Sequence, residues 1–170
     1  NDIATNLVSD SSGKIEVQGL HSGAYQFIET KAPEGYILDN QPILFNIKNA
    51  QTEAVQVVAK NIQENHDVLL TKVDSRTNET LEGAIFELQD ASGKTLQKDL
   101  KTDSLGQIII KGLQPEHYQF VETEAPEGYK LDSTPVKFTI TKDSTDTVKV
   151  TKTNDKILEK KDTEASSGDN

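Results

Sequence analysis

The 170-residue sequence contains no cysteine, no methionine and no tryptophan. Without cysteine there is no disulfide, no thiolate metal ligand and no cysteine nucleophile. The absence of methionine means the sequence does not open on a start codon and reads as a mature product or an internal fragment. Basic residues are few: 18 Lys and Arg stand against 28 Asp and Glu, a formal charge of −10. A nucleic-acid binder needs a basic face, and so does a reader of anionic lipid, so both classes are set aside. No apolar run approaches the roughly 20 residues of a membrane-spanning helix, so no membrane insertion is expected. The three histidines, His21, His66 and His117, lie far apart with no ligand spacing between them. Nucleophile-elbow, phosphate-loop and dinucleotide-binding patterns are all missing, and neither a cofactor nor a metal site is expected.

What the sequence does have is an internal repeat. Residues 8–61 align without a gap on residues 101–154 at an offset of 93, with about 25 of 54 positions identical. The strongest blocks are YQFIETKAPEGYILD from Tyr25 and YQFVETEAPEGYKLD from Tyr118. The second copy extends back to about Asp67, and the first would need more than about 20 residues before Asn1 to match it. The expected organisation is a C-terminal part of one domain over residues 1–63, a complete domain over 64–156, and a polar flexible tail over 157–170.

Each repeat reads as all-β. Val68–Val73, Ala84–Leu88, Gln107–Lys111, Tyr118–Thr123, Val136–Thr141 and Thr147–Thr153 are short and alternate apolar with polar. Turn signals at Asn78-Glu79, Ser92-Gly93, Leu105-Gly106 and Pro126–Gly128 separate them. This pattern predicts an antiparallel sandwich, with no convincing amphipathic helix.

Strand parity then places three polar residues on apolar rows. Lys72 continues the row Val68, Leu70; Glu122 continues Tyr118, Phe120; Asn154 continues Val148, Val150, Lys152. In the first repeat Glu29 and Asn61 fall at the same places. A buried charge costs several kcal/mol unless it is paired or neutralised. The strands therefore either end there in water, or the three residues form one polar cluster. Recurrence of the Glu and the Asn favours the cluster. A desolvated Lys amine is neutral and nucleophilic, and a protonated Glu polarises a carboxamide. Held together, Lys, Glu and Asn have the means to form a Lys–Asn isopeptide bond once per molecule.

These residues carry a resemblance. V-L-L-T-K-V-D (Val68–Asp74), L-E-G-A-I-F-E-L (Leu81–Leu88), Y-x-F-x-E-T-x-A-P-x-G-Y (Tyr118–Tyr129) and V-K-V-T-K-T-N (Val148–Asn154) resemble the collagen-adhesin B-type domain. This family, also called CnaB or SpaA-like prealbumin fold, occurs in Gram-positive surface adhesins and pilins. The resemblance implies tandem Greek-key β-sandwiches, prealbumin- or Ig-like, with the first truncated at its N-terminus. It implies Lys72 and Asn154 as the cross-linked pair and Glu122 as the catalytic carboxyl. For the first domain it implies Glu29 as the catalytic residue and Asn61 as a possible cross-link partner, the matching lysine falling before Asn1.

The expected role is a stalk module of a cell-wall-anchored, extracellular adhesin or pilin. Its expected partners are neighbouring domains of the same stalk, with a host extracellular-matrix ligand engaged through other domains. The alternative is a ligand-binding module that uses the loops at one end of the sandwich to recognise a host protein or glycan. No nucleophile–base pair supports an enzyme with turnover.

Overall fold

The computed structural model describes residues 1–159 and divides into two units, Asn1–Ile62 and Gln63 onward. All regular structure among the described residues is β. The part of the expected tail from residue 160 lies outside the described residues. Within its first residues, Ile157 still donates its backbone N–H to the Gly128 carbonyl (2.8 Å).

The first unit holds one hairpin, β1 (Gly23–Phe27) with β2 (Ile43–Ile47), paired antiparallel from Gly23↔Ile47 to Phe27↔Ile43. Its inward side chains stack, Tyr25 on Phe45 at 5.6 Å and Phe27 on Phe45 at 5.2 Å between ring centroids.

The second unit is a two-sheet sandwich. Its strands are β3 (Val68–Asp74), β4 (Ile85–Asp90), β5 (Thr95–Lys101), β6 (Gln107–Ile110), β7 (His117–Glu124), β8 (Val136–Thr139) and β9 (Val148–Asn154). One sheet runs β6-β3-β9 and the other β5-β4-β7-β8. The chain therefore changes sheet at β3–β4, β5–β6, β6–β7 and β8–β9. All ladders are antiparallel except β3 with β9, which pair parallel and in register from Val68↔Val148 to Asp74↔Asn154.

The core between the sheets follows from the alternation. Val68, Leu70, Ala84, Phe86, Leu88, Ile108, Ile110, Tyr118, Phe120, Phe138 and Ile140 are buried together. Phe120 stacks on Phe138 at 5.2 Å and meets Phe86 edge-on at 6.3 Å. Aromatic pairs of this kind add about 0.5–1.5 kcal/mol beyond their burial. Tyr118 on Phe138 (5.5 Å) completes a stack that repeats the first unit's at the offset of 93. The two tyrosine hydroxyls are also anchored alike, Tyr25 to the His21 carbonyl (2.8 Å) and Tyr118 to the Gln114 carbonyl (2.7 Å).

β5 is the strand that the sequence pattern does not announce. Its residues TLQKDLK are mostly exposed, so it lacks an apolar row. It is an edge strand with a bulge, where Asp99 takes a left-handed φ of 57° and the β4 register shifts between Phe86 and Leu88. In the first unit, residues 55–61, the counterparts of β9, form no strand. β9 has a single ladder partner, β3, and the first unit contains no strand in that role.

Candidate functional site

The site sits where β3, β7 and β9 end. Lys72 follows Val68 and Leu70 on the inward row of β3 and has no exposed surface; Glu122 is 1% and Asn154 2% exposed. The parallel register sets Lys72 beside Lys152 and Asp74 beside Asn154. Asn154 is thus one strand over and two residues ahead of Lys72, on the same face. Strand spacing and rise put their Cα atoms roughly 8 Å apart, within reach of an extended lysine. An antiparallel partner could not supply this diagonal with both chains running toward the same end.

Glu122 and Asn154 are bonded directly. The Asn154 carboxamide donates one N–H to Glu122 Oε2 (2.9 Å) and the other to the Lys130 carbonyl (3.0 Å). Two acceptors on one nitrogen fix which way the carboxamide faces. The Asp132 backbone N–H donates to the same Oε2 (3.0 Å). Glu122 Oε1 and Asn154 Oδ1 are buried with no hydrogen-bond partner. The Lys72 amine is little better served, with long contacts to the carbonyls of Lys152 (3.4 Å) and Val73 (3.5 Å). Three buried polar groups thus stand short of partners in one place, which is rare in folded proteins.

Burial in this apolar setting lowers the Lys72 amine to about 8. The Glu122 carboxylate opposes that shift, the Lys152 ammonium assists it, and Asp132 and Asp74 oppose it more weakly. Asp74 forms the back of the site. It accepts backbone N–H groups from Arg76 and Thr77 and the Tyr129 hydroxyl (2.8 Å), which hold its carboxyl down to about 2.

The first unit reproduces half of this arrangement. Asn61 donates to Glu29 Oε2 (2.7 Å) and to the Ile37 carbonyl (3.0 Å), and the Asp39 N–H donates to Glu29 Oε2 (3.0 Å). Each bond has its counterpart 93 residues on. Glu29 and Asn61 are half-buried rather than sealed, and Val55 and Val57 are each 37% exposed.

Sequence reasoning missed four contributors. The Lys130 carbonyl and Asp132 N–H act through the backbone, which residue type does not advertise. The Tyr129–Asp74 bond spans 55 residues, and only the fold brings its ends together. Lys152 was visible on the β9 row but without a role. Among the described residues no His, Cys, Asp or Glu cluster is arranged to hold a metal. A polar cavity of about 530 Å³, lined by Gln63–Asp67, Gly112 and Thr145, lies at the Val68 end of the sandwich, away from this site.

The fold and the paired Glu–Asn sites can be compared with known proteins. No curated protein matches. Among solved structures, the Bacillus anthracis TIE protein is similar at 29% identity and a TM-score of 0.53, over 88% of this chain and 28% of that one. The group B streptococcus pilus 2b backbone protein is similar at 25% identity and a TM-score of 0.51, over 75% and 52%. The minor pilin of Streptococcus agalactiae is similar at 26% identity and a TM-score of 0.50, over 90% and 68%. The chain spans about a quarter of the first of these and about half of the second. A family profile described as SpaA, prealbumin-like fold domain, matches residues 1–62 and again 66–156. With two matches that together cover nearly the whole sequence, the chain belongs to the SpaA family of prealbumin-like fold domains.

Proposed function

We propose that the chain is a structural stalk segment of a Gram-positive surface pilin or adhesin, and that its second unit locks itself with a Lys72–Asn154 isopeptide bond. The observation that supports this most directly is the sealed Lys72–Glu122–Asn154 cluster, with an under-bonded amine and two partnerless oxygens. Such a cluster is expensive as a set of separate groups. A proton carried on Glu122 Oε1 would bond Asn154 Oδ1 while Oε2 accepts from Nδ2, closing an acid–amide ring.

The chemistry balances. The neutral Lys72 Nζ attacks Asn154 Cγ, and the Oε1 proton passes to Oδ1 as the carbonyl opens. Glu122 takes a proton from Nζ and delivers it to Nδ2. The Cγ–Nδ2 bond breaks, ammonia leaves, the Oδ1 proton returns to Glu122 as the carbonyl re-forms, and the Nζ–Cγ amide remains with Glu122 restored. Effective concentration does most of the work, since both strands are held in register. One turnover exhausts the site, so this is self-processing rather than enzymatic turnover.

Glu29 and Asn61 hold the acceptor half of the same site, and closing it requires a lysine-bearing strand on the open side of Asn61. The similarity to pilins supports an extracellular, wall-associated location and neighbouring stalk domains as partners.

The test is the intact mass of the denatured chain. A deficit of about 17 Da, one ammonia, is expected, with linked peptides containing Lys72 and Asn154 after digestion. Glu122→Gln should restore the full mass. A folded wild-type chain at full mass would overturn the proposal.

A further inference from the structure

Lys152 is a second buried lysine in the same site. It is 6% exposed and stands directly opposite Lys72 across the parallel ladder. Its ammonium donates to the Thr134 carbonyl (2.9 Å) and pairs with Asp132 Oδ2 (3.1 Å). Asp132 in turn gives its backbone N–H to Glu122 Oε2, and its Oδ1 caps the Thr134 N–H (3.0 Å). The Lys152 carbonyl is itself one of the two contacts of the Lys72 amine. One residue therefore touches the nucleophile's side of the site through its backbone and the carboxyl's side through its side chain. A lysine is not needed to fill this place in the fold. The counterpart in the first unit is Ala59, where Glu29, Asp39 and Asn61 keep their bonds without it.

We propose that Lys152 is a positioning residue of the cross-linking site, held by Asp132 and the Thr134 carbonyl with its positive charge beside Lys72, and that this charge sets the pH range over which the bond forms. This rests on the cross-linking reading above. The productive pair, neutral Lys72 with protonated Glu122, carries one proton between two groups. Its rate of reaction must fall on the acid side, where a second proton binds, and on the alkaline side, where the last is lost. The charged groups facing Lys72 are Glu122 from β7, Lys152 from β9, Asp132 from the β7–β8 connection and Asp74 from β3. A cation nearby makes every proton easier to lose, so Lys152 moves both limbs toward lower pH. Asp132 opposes it.

The experiment uses the full 170-residue chain, chemically synthesised so that it has never folded and stored in guanidinium. Dilution into buffers from pH 5 to 10 starts folding. Circular dichroism follows folding, and acid-quenched mass spectra follow the loss of about 17 Da. The wild-type rate is expected to be bell-shaped in pH. Lys152→Gln should translate both limbs upward by about one pH unit, an approximately tenfold slower reaction at a fixed pH on the acid limb. Lys152→Arg should restore the wild-type limbs. Asp132→Asn, at a half-exposed position, should translate them downward.

Opposite shifts in the two variants support the proposal. Limbs that stay in place, or move the same way in both, overturn it while leaving the cross-link intact. If Lys152→Gln does not fold, Lys152→Met, neutral and of similar length, takes its place, and limbs that stay put in it overturn the proposal. A folded wild-type chain that keeps its full mass at every pH overturns the cross-linking reading and this inference with it.

Discussion

A buried lysine at the end of a core strand weakens the fold as long as it carries a proton. Lys72 is lowered to about 8 from an ordinary 10.5, so below pH 8 the unlinked folded chain holds an ammonium that burial disfavours. Between about pH 8 and 10.5 the unfolded chain binds the proton and the folded one does not, so stability rises with pH across that window. In the Asn154→Ala background, where no bond can form, adding Lys72→Met should therefore stabilise the fold below pH 8. The gain should be about 3 kcal/mol at most and shrink toward pH 10.5, as read from urea midpoints of the two variants. The inward placement of Lys72, Glu122 and Asn154 was legible from strand parity, because each simply continues an apolar row. The bonds that complete the site were not. Lys130 and Asp132 contribute backbone groups, and the value of Lys152 depends on a cross-strand register that no local pattern encodes.

Among the elements, the strands with an apolar row were readable and β5 was not, since an exposed edge strand has no core to declare itself to. The parallel pairing of β3 with β9 was likewise hidden, because their partnership joins residues 80 apart and depends on how the intervening strands are shared between the sheets. The first unit shows the other side of that dependence. Residues 55–61 have the β9 pattern yet form no ladder where no β3 lies beside them.

The turn before β6 is tied to the site in the same way. Gly106 takes a φ of 73°, and its carbonyl accepts the Lys72 N–H (2.8 Å). A Cβ there would meet the Lys72 carbonyl, the Leu81 nitrogen and the Thr80 Cβ, each at 2.9 Å. Two of those atoms are backbone and cannot swing away. Gly106→Ala should cost about 2–4 kcal/mol in chemical unfolding, combining left-handed strain with a clash. The equivalent Gly13 has the same sign of φ but open space around it, so Gly13→Ala should cost about 1 kcal/mol.

For the second unit as a whole, the bond would tie the first strand to the last and close a loop of about 80 residues. On loop-entropy grounds such a closure contributes about 4–5 kcal/mol. Its mechanical effect is larger in kind. With the bond closed, tension entering at β3 would reach Lys72 and leave at Asn154 without passing through the other five strands. Pulled by its termini in a force spectrometer, the wild-type unit should show no extension step from residues 72–154. Glu122→Gln should release them in one step of about 290 Å of contour length. A wild-type step of that length would show that the lock is absent.

The parallel register of β3 and β9 has a further consequence, for chain scission. With the link closed, every peptide bond between Lys72 and Asn154 becomes redundant to continuity. A protease that cuts the exposed turn at Gly93 or the connection at Ser133 would produce two N-termini but no detached fragment. The halves would stay joined by one amide that no ordinary peptidase is shaped to recognise. Such a unit tolerates backbone damage over most of its length, and only cuts outside residues 72–154 would part it from its neighbours.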